Sequence, residues 1–131
     1  MLIINKDDIA ALIEMAQRQS GKFLLGTNYR NTAGSVGAAL LTANNYILFT
    51  GINLDMKCGI GFCAEQSAIM EMLKTRQTEI YSLVNVHYNG DIYLPCGKCR
   101  EFMVQLNENN LKTKIITPEK RIITIKELLP Y

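Results

Sequence analysis

Residues 63–106 read CAEQSAIMEMLKTRQTEIYSLVNVHYNGDIYLPCGKCREFMVQL, and three patterns of apolar residues follow one another within them. Between residues 63 and 74 the apolar residues recur at helical spacing, whereas residues 80–88 are mostly apolar, as is typical of a strand. Residues 96–106 return to a helical pattern. This alternation predicts an α/β domain with helices on both faces of a sheet and parallel pairing in its later strands.

The segment before this stretch predicts one more helix and a hairpin. A helix capped by Asn5 or Asp7 is predicted up to Ser20, because its apolar residues also recur at helical spacing. Two apolar runs, 36–41 and 46–52, are joined by polar residues and predict two antiparallel strands. A two-stranded hairpin alone is marginally stable in water, so these strands are expected to join the larger sheet.

The segment after it is short. A strand is predicted at 112–117, and a brief closing segment follows at 122–129. The chain shows no internal repeat, low-complexity tract or linker, so we expect a single domain over residues 1–131. A chain of this length can bury roughly two-thirds of its unfolded surface and needs no disulfide to fold.

Composition and charge exclude several classes of partner. The 14 Lys and Arg residues nearly balance the 12 Asp and Glu residues, giving a net charge of +2 with no basic block, which argues against nucleic acid as a partner. No segment approaches the ~20 apolar residues that cross a bilayer, so no membrane association is expected. Acidic Asp7 and Asp8 precede the first apolar stretch, unlike the basic start of a signal peptide. We therefore expect a cytoplasmic protein with reduced thiols.

Three cysteines and one carboxylate form the main candidate site. Cys96 and Cys99 are three residues apart, so both can reach one metal ion from one face of a helix. Cys63 also begins a predicted helix, where unpaired backbone N–H groups favour the thiolate. Three thiolates on zinc leave one coordination position open, which is typical of catalytic rather than structural zinc. Glu65 lies two residues from Cys63 and can exchange protons with a water activated there.

Other interpretations of these residues remain open. A Cys-x-x-Cys pair is also typical of a structural zinc knuckle or a redox pair. Cys58 offers a second alternative, because with the three candidate ligands it could complete a closed four-thiolate site in a non-catalytic binding domain. His87, the only histidine, lies in a predicted strand, and we expect it to be a packed or edge residue outside the site.

The order of these motifs resembles the zinc-dependent cytidine deaminases, in particular the short cysteine-only branch that includes blasticidin S deaminases. The resemblance covers most of the chain. It is carried by five segments: Val36-Gly37-Ala38-Ala39-Leu40-Leu41, Gly51-Ile52-Asn53, Cys63-Ala64-Glu65, Pro95-Cys96-Gly97-Lys98-Cys99-Arg100 and Glu127-Leu128-Leu129-Pro130.

The resemblance implies a three-layer α/β/α fold with a five-stranded mixed sheet and a homotetramer or dimer with shared active sites. It implies zinc held by Cys63, Cys96 and Cys99, with Glu65 shuttling protons while a free aminopyrimidine nucleoside loses ammonia. It further implies that the Ala64 backbone orients the pyrimidine ring and that Asn53 lies at the sugar. Cytidine or deoxycytidine is the expected substrate, with a blasticidin S-like aminonucleoside as the alternative.

Three positions differ from the family pattern. Asp55 stands where nucleoside deaminases usually carry a longer Glu that binds the ribose. Gly34 replaces an aromatic residue and is expected to remove a surface against which a base packs. Gln66 replaces an arginine that hydrogen-bonds the sulfurs. We expect Arg100 and the helix N-termini to compensate for the excess negative charge of three thiolates on zinc, the alternative being that Arg100 binds a surface carboxylate.

Overall fold

The computed structural model describes residues 5–26 and 30–129. Within them the chain forms four helices and seven strands. In chain order these are α1 (Ile9–Gln19), β1 (Phe23–Leu24), β2 (Thr32–Thr42), β3 (Leu48–Asp55), α2 (Ala64–Leu73), β4 (Ile80–His87), β5 (Ile92–Tyr93), α3 (Gly97–Leu106), β6 (Lys114–Ile116), β7 (Ile122–Thr124) and α4 (Ile125–Leu128).

All seven strands belong to one mixed sheet. The five strands of three or more residues lie in the order β3-β2-β4-β6-β7. The pairing of β4 with β6 is parallel, and the other pairings are antiparallel. The two-residue strands β1 and β5 add to β2 and β4, respectively. The expected α/β fold with a mixed sheet is confirmed, and the two short strands extend the five that were expected.

Helices cover both faces of the sheet because successive side chains of its central strands point in opposite directions. On β2, Ala38 and Leu40 pack into a core that includes Ile69 of α2 and Met103 of α3. Ala39 and Leu41, which alternate with them, pack on the other face with buried residues of α1. This arrangement forms the three expected layers.

The first helix begins one residue later than predicted. Asp8, not Asn5 or Asp7, is its N-cap, and the Asp8 carboxylate accepts a hydrogen bond from the backbone N–H of Ala11 at 3.0 Å. The sequence-based prediction named only Asn5 and Asp7, although Asp8 is also of a residue type that caps helices. The predicted end is confirmed, because Ser20 is the C-cap.

Two strand boundaries also differ from prediction. Tyr46 has a positive φ of 52° and belongs to the turn, so β3 begins at Leu48. Residues 108–112 form a 3₁₀ turn that delays the start of β6 to Lys114. Buried Asn110 holds this turn in place, since its side-chain amide donates to the carbonyl of Met103 and accepts from the N–H of Ile80, both at 2.8 Å.

The closing segment divides into β7 and the short helix α4, where Thr124 and Glu127 form a reciprocal capping pair. Pro130, the last residue of the segments that resemble the family, lies outside the described residues. Among the residues described, no helix has the length and apolar character needed to cross a bilayer.

Candidate functional site

The three predicted thiols converge at the starts of two helices. Cys63 is the N-cap of α2, Cys96 is the N-cap of α3, and Cys99 lies in the first turn of α3. All three sulfur atoms lie within 4.8 Å of one another, and the sulfurs of Cys63 and Cys96 are 3.9 Å apart. Residues 33 positions apart in the chain therefore share one potential metal site.

The arrangement of the sulfurs fits zinc. Four ligands at a Zn–S distance of ~2.3 Å in a tetrahedron are separated by ~3.8 Å, close to the distance between Cys63 and Cys96. Thiolates are preferred zinc ligands, and three of them leave one position of the tetrahedron for another ligand. Cys63, Cys96 and Cys99 can therefore hold a zinc ion without closing its coordination shell.

The metal-free thiols differ in acidity. Burial raises the pKa of Cys63, and burial followed by the negative charge of Glu65 raises the pKa of Cys99. Burial alone would also raise the pKa of Cys96, but hydrogen bonds from the main chain and side chain of Cys99 outweigh it and lower that pKa. Because zinc binds thiolates, metal uptake must displace protons from Cys63 and Cys99.

The fourth cysteine lies apart from this cluster. Cys58 is exposed and belongs to a short 3₁₀ turn, where its own φ is 60°. It does not belong to the group of sulfurs that lie close enough to share an ion. The structure therefore does not place Cys58 where it could complete a closed four-thiolate site.

Glu65 lies in the first turn of α2 and is only 4% exposed. One of its carboxylate oxygens, Oε2, accepts a hydrogen bond of 2.6 Å from the side-chain amide of Asn85. Asn85 lies in β4, between Val84 and Val86, and is itself buried. Sequence analysis missed this residue, although a lone amide within an apolar strand was a signal that could have revealed it.

Gly51 of β3 lets α2 approach the sheet closely. A Cβ atom added at Gly51 would lie 2.7 Å from the carbonyl oxygen of Ala64, closer than real Cβ contacts allow. The absence of a side chain at this position therefore sets the distance between β3 and the first turn of α2. That turn carries Glu65, so the glycine helps to place the carboxylate beside the thiols.

A cleft of about 400 Å³ opens in front of the thiols. Its volume lies within the range of small-molecule sites. The predicted substrate contacts Asn53, Asp55 and Ala64 all line it, together with Glu65 and Asn85. The structure therefore brings two of the candidate metal ligands, Cys63 and Cys96, together with the carboxylate and the predicted contacts in one cavity.

The orientation of Asn53 is fixed by the neighbouring strand. Its side-chain oxygen accepts hydrogen bonds from the backbone N–H of Val36 at 2.9 Å and from the hydroxyl of Ser35 at 3.2 Å. These bonds span an irregularity in the pairing of β2 with β3, between Ala33 and Gly37. Because the oxygen is occupied, the amide group of Asn53 is left as a hydrogen-bond donor.

Gly34 was expected to remove a base-packing surface from the site, but it does not line the cleft. Its φ is +84°, and a side chain at this position would collide with the carbonyl of Gly21. The carbonyl of Gly34 accepts a hydrogen bond of 2.6 Å from the N–H of Gly21. The glycine is thus required by the backbone path between α1 and β2.

Gln66 and Arg100 contact the backbone around the thiols rather than the sulfurs. The side-chain oxygen of Gln66 accepts from the N–H of Cys63 at 3.0 Å. The guanidinium of Arg100 donates to the carbonyls of Pro95 at 2.8 Å and Leu128 at 2.9 Å. Among the described residues, the hydrogen bonds of Arg100 therefore include neither a sulfur nor the surface carboxylate of the alternative. They tie the residue before Cys96 to the C-terminal segment.

His87 lies outside the thiol cluster, as predicted. It is the last residue of β4, and its ring lies against Tyr88 and Tyr93 with centroids 4.4 and 5.5 Å away. Tyr93 reaches the cleft, so this small aromatic group borders the site without supplying a ligand to it.

Comparison with protein families gives an independent result. Residues 9–114 match the family described as the cytidine and deoxycytidylate deaminase zinc-binding region. Among curated relatives, the cytidine deaminase of Mycobacterium tuberculosis strain H37Rv is 28% identical over 97 residues, which are 73% of this chain and 70% of the relative. That of Halalkalibacterium halodurans is 29% identical over 98 residues, 72% of this chain and 74% of the relative.

Solved structures of this kind have the same fold. The crystal structure of cytidine deaminase from Mycobacterium leprae superposes on this chain with a TM-score of 0.71. The two sequences are 30% identical, and the match covers 98% of this chain and 100% of the Mycobacterium leprae chain. The crystal structure of the enzyme from Mycobacterium tuberculosis is 26% identical, covers 94% of both chains, and has a TM-score of 0.75. The three-layer arrangement described above is therefore shared by solved structures of cytidine deaminases.

Proposed function

This chain belongs to the family defined by the cytidine and deoxycytidylate deaminase zinc-binding region, and from that membership we propose that it is a zinc-dependent hydrolase of free cytidine or deoxycytidine. The reaction consumes water and releases ammonia, leaving uridine or deoxyuridine. One observation carries the proposal: the Cys63, Cys96 and Cys99 sulfurs lie within 4.8 Å of one another, and Glu65 lines the same cleft as Cys63 and Cys96.

Cys63, Cys96 and Cys99 would hold the metal, and zinc bound there would lower the pKa of a water molecule so that it becomes a nucleophile near neutral pH. Glu65 accepts the proton that this water loses when its oxygen attacks C4 of the pyrimidine. The same carboxylate delivers this proton to the ring nitrogen N3, then takes the second proton of the former water from the new C4 hydroxyl and passes it to the amino group. The bond between C4 and the amino nitrogen breaks, and ammonia leaves.

On the sugar side of the cleft, we assign one hydrogen-bond donor and one hydrogen-bond acceptor. Asn53 donates its free amide hydrogens to a ribose hydroxyl oxygen, because its own oxygen is held by Val36 and Ser35. Asp55 accepts from a ribose hydroxyl at the exposed edge of the cleft. Ala64 lies beside Glu65 and contacts the ring through its backbone.

A substrate comparison tests this proposal. We expect ammonia release from cytidine and deoxycytidine to exceed release from free cytosine by at least about tenfold in kcat/KM, because cytosine lacks the sugar that Asn53 and Asp55 bind. The assay follows the loss of pyrimidine absorbance together with ammonia. Blasticidin S serves as a fourth substrate, and deamination of it faster than cytidine would overturn the substrate assignment. No turnover of any of the four by zinc-loaded protein would instead indicate a non-catalytic binding domain.

We further propose that the protein assembles as a homotetramer, with a dimer as the simpler alternative, and that subunits share the rim of each cleft. Phe62 and Tyr93 line the cleft and are 58% and 43% exposed, and Ile60, which lies between two lining glycines, is 61% exposed. Clusters of this kind support contact with another protein surface. Sedimentation velocity at micromolar concentration checks the assembly, and a single monomeric species would contradict it.

A cytoplasmic location is also part of the proposal. All four cysteines are unpaired, and the three clustered sulfurs lie close enough that the oxidants of an oxidising compartment would join two of them as a disulfide. A reducing environment keeps them available as zinc ligands. Fractionation of cells that express the protein tests this location, and recovery outside the cytoplasm would contradict it.

A further inference from the structure

Asn85 is a buried amide whose hydrogen bonds are incomplete. Its side chain is 3% exposed and lies in the central strand β4 between two buried valines. Its amide nitrogen donates to Oε2 of Glu65 at 2.6 Å. Its own oxygen, Oδ1, is shielded from solvent and has no hydrogen-bond partner among the described residues.

If folding stability were the only requirement, this arrangement would be unfavourable. An amide oxygen that loses water on folding and gains no partner destabilises the folded state. An apolar side chain of similar size, such as leucine, would fill the same space between Val84 and Val86 without that loss. The requirements of the core therefore do not account for an asparagine at this position.

Among the described residues, the one hydrogen bond that the Asn85 side chain makes ends on the carboxylate beside the thiols. A glutamate side chain rotates about three torsions, so burial alone does not fix the direction of its carboxylate oxygens. The bond from Asn85 fixes Oε2 and thereby the plane of the carboxylate. None of the described residues makes a side-chain hydrogen bond to the other oxygen, Oε1, so that oxygen is available for proton exchange in the cleft.

We propose that Asn85 is a positioning residue for the deamination reaction, which holds the Glu65 carboxylate in the orientation that proton transfer needs. The inference rests on the proposed function, because it assigns Asn85 a role only through Glu65. Asn85 does not need to touch the substrate for this role. Its contribution is to reduce the number of carboxylate orientations that do not lead to reaction.

Replacement by leucine tests the proposal. Asn85→Leu removes the donor and the unpaired oxygen together while keeping the number and branching of the side-chain heavy atoms. We expect kcat to fall by about ten- to hundredfold, the range that corresponds to a lost hydrogen bond to a charged group. KM should change by less than about twofold and zinc content should be unchanged, since neither the sugar contacts nor the sulfurs are altered.

Ser82 provides a matched control on the same strand. Its hydroxyl is also buried and has no hydrogen-bond partner in the described part of the chain, but Ser82 does not line the cleft. Ser82→Ala should therefore leave kcat unchanged. Both variants remove an unpaired buried oxygen from β4, but only Asn85→Leu also removes the hydrogen bond to Glu65. Only the Asn85 variant should therefore lose activity.

A double substitution separates positioning from a general structural effect. In the Glu65→Gln background, Asn85→Leu should lower the residual rate by less than about twofold, because the carboxylate on which Asn85 acts is already absent. A further loss as large as that seen in the native background would overturn the proposal. So would an unchanged kcat in Asn85→Leu. If that variant does not fold, Asn85→Ala is measured in its place with the same expectations.

Failure of this inference differs from failure of the proposed function. If the native protein deaminates no nucleoside, the proposed function fails and the inference fails with it. If the native protein is active and Asn85→Leu matches it in kcat, the proposed function stands and only the role of Asn85 is lost.

Discussion

Replacement of Glu65 by glutamine is expected to lower kcat for cytidine by at least about thousandfold while zinc remains bound. A glutamine amide has nearly the same shape as the carboxylate but cannot accept a proton and pass it on. General acid–base catalysis contributes about a hundred- to ten-thousandfold to a step, and Glu65 is proposed to serve both the attack of water and the departure of ammonia. The side-chain oxygen of glutamine can still accept the hydrogen bond that Asn85 donates. Absorbance kinetics and metal analysis on the same sample measure both quantities.

Glu71 supplies the control for this experiment. It lies on the same helix, is exposed, and pairs with Lys74 at 3.4 Å. Glu71→Gln should therefore keep kcat within about twofold of the native value, since exposed ion pairs contribute little to stability. A Glu65→Gln protein that retains more than about a tenth of native activity would show that another group transfers the proton.

Replacement of Cys99 by serine is expected to remove zinc and, with it, activity. Cys99 is fully buried, and a serine hydroxyl remains protonated at neutral pH, so it offers the metal neither charge nor sulfur. Two remaining thiolates should hold zinc far more weakly. We expect zinc to fall from about one ion per chain to below about 0.1 after dialysis, with no detectable deamination.

Cys58→Ser is the matched variant, because it makes the same substitution at an exposed thiol outside the cluster. It should keep both zinc and activity. Loss of zinc in this variant would restore the closed four-thiolate site that the geometry argues against. Full zinc in Cys99→Ser would remove that residue from the ligand set.

The repeating patterns of the sequence predicted most of the fold. Helices at 63–74 and 96–106 and the strand at 80–88 were found within two residues of their positions, because both periodicities are strong there. The boundaries set by local hydrogen bonding were less accurate. The buried contacts of Asn110 moved the start of β6, and the cap of α1 is Asp8 instead of Asn5 or Asp7.

The metal ligands could be predicted because their spacing and the chemistry of thiolates restrict the choice. The contacts around them could not, because they join residues far apart in the chain. The pair of Glu65 and Asn85 spans 20 positions and connects a helix to a strand. Arg100 likewise reaches Leu128, 28 positions away, instead of the neighbouring sulfurs. Such contacts follow from the way in which the layers pack, which the periodicity of one segment does not specify.

Gly34 shows how an apparent loss can have a structural cause. Comparison with the family suggested that an aromatic surface was missing from the site. The positive φ of this residue and the nearby carbonyl of Gly21 instead require glycine, on a part of β2 that does not face the cleft. A backbone requirement of this kind becomes visible only when the paths of α1 and β2 are known.

Removal and return of the metal test the central claim most directly. The protein is stripped with a chelator under reducing conditions, and zinc is then added back in steps while cytidine deamination is followed at each step. The account predicts that activity is absent without metal, rises in proportion to bound zinc, and reaches its maximum at about one ion per chain. Undiminished deamination by metal-free protein would contradict it.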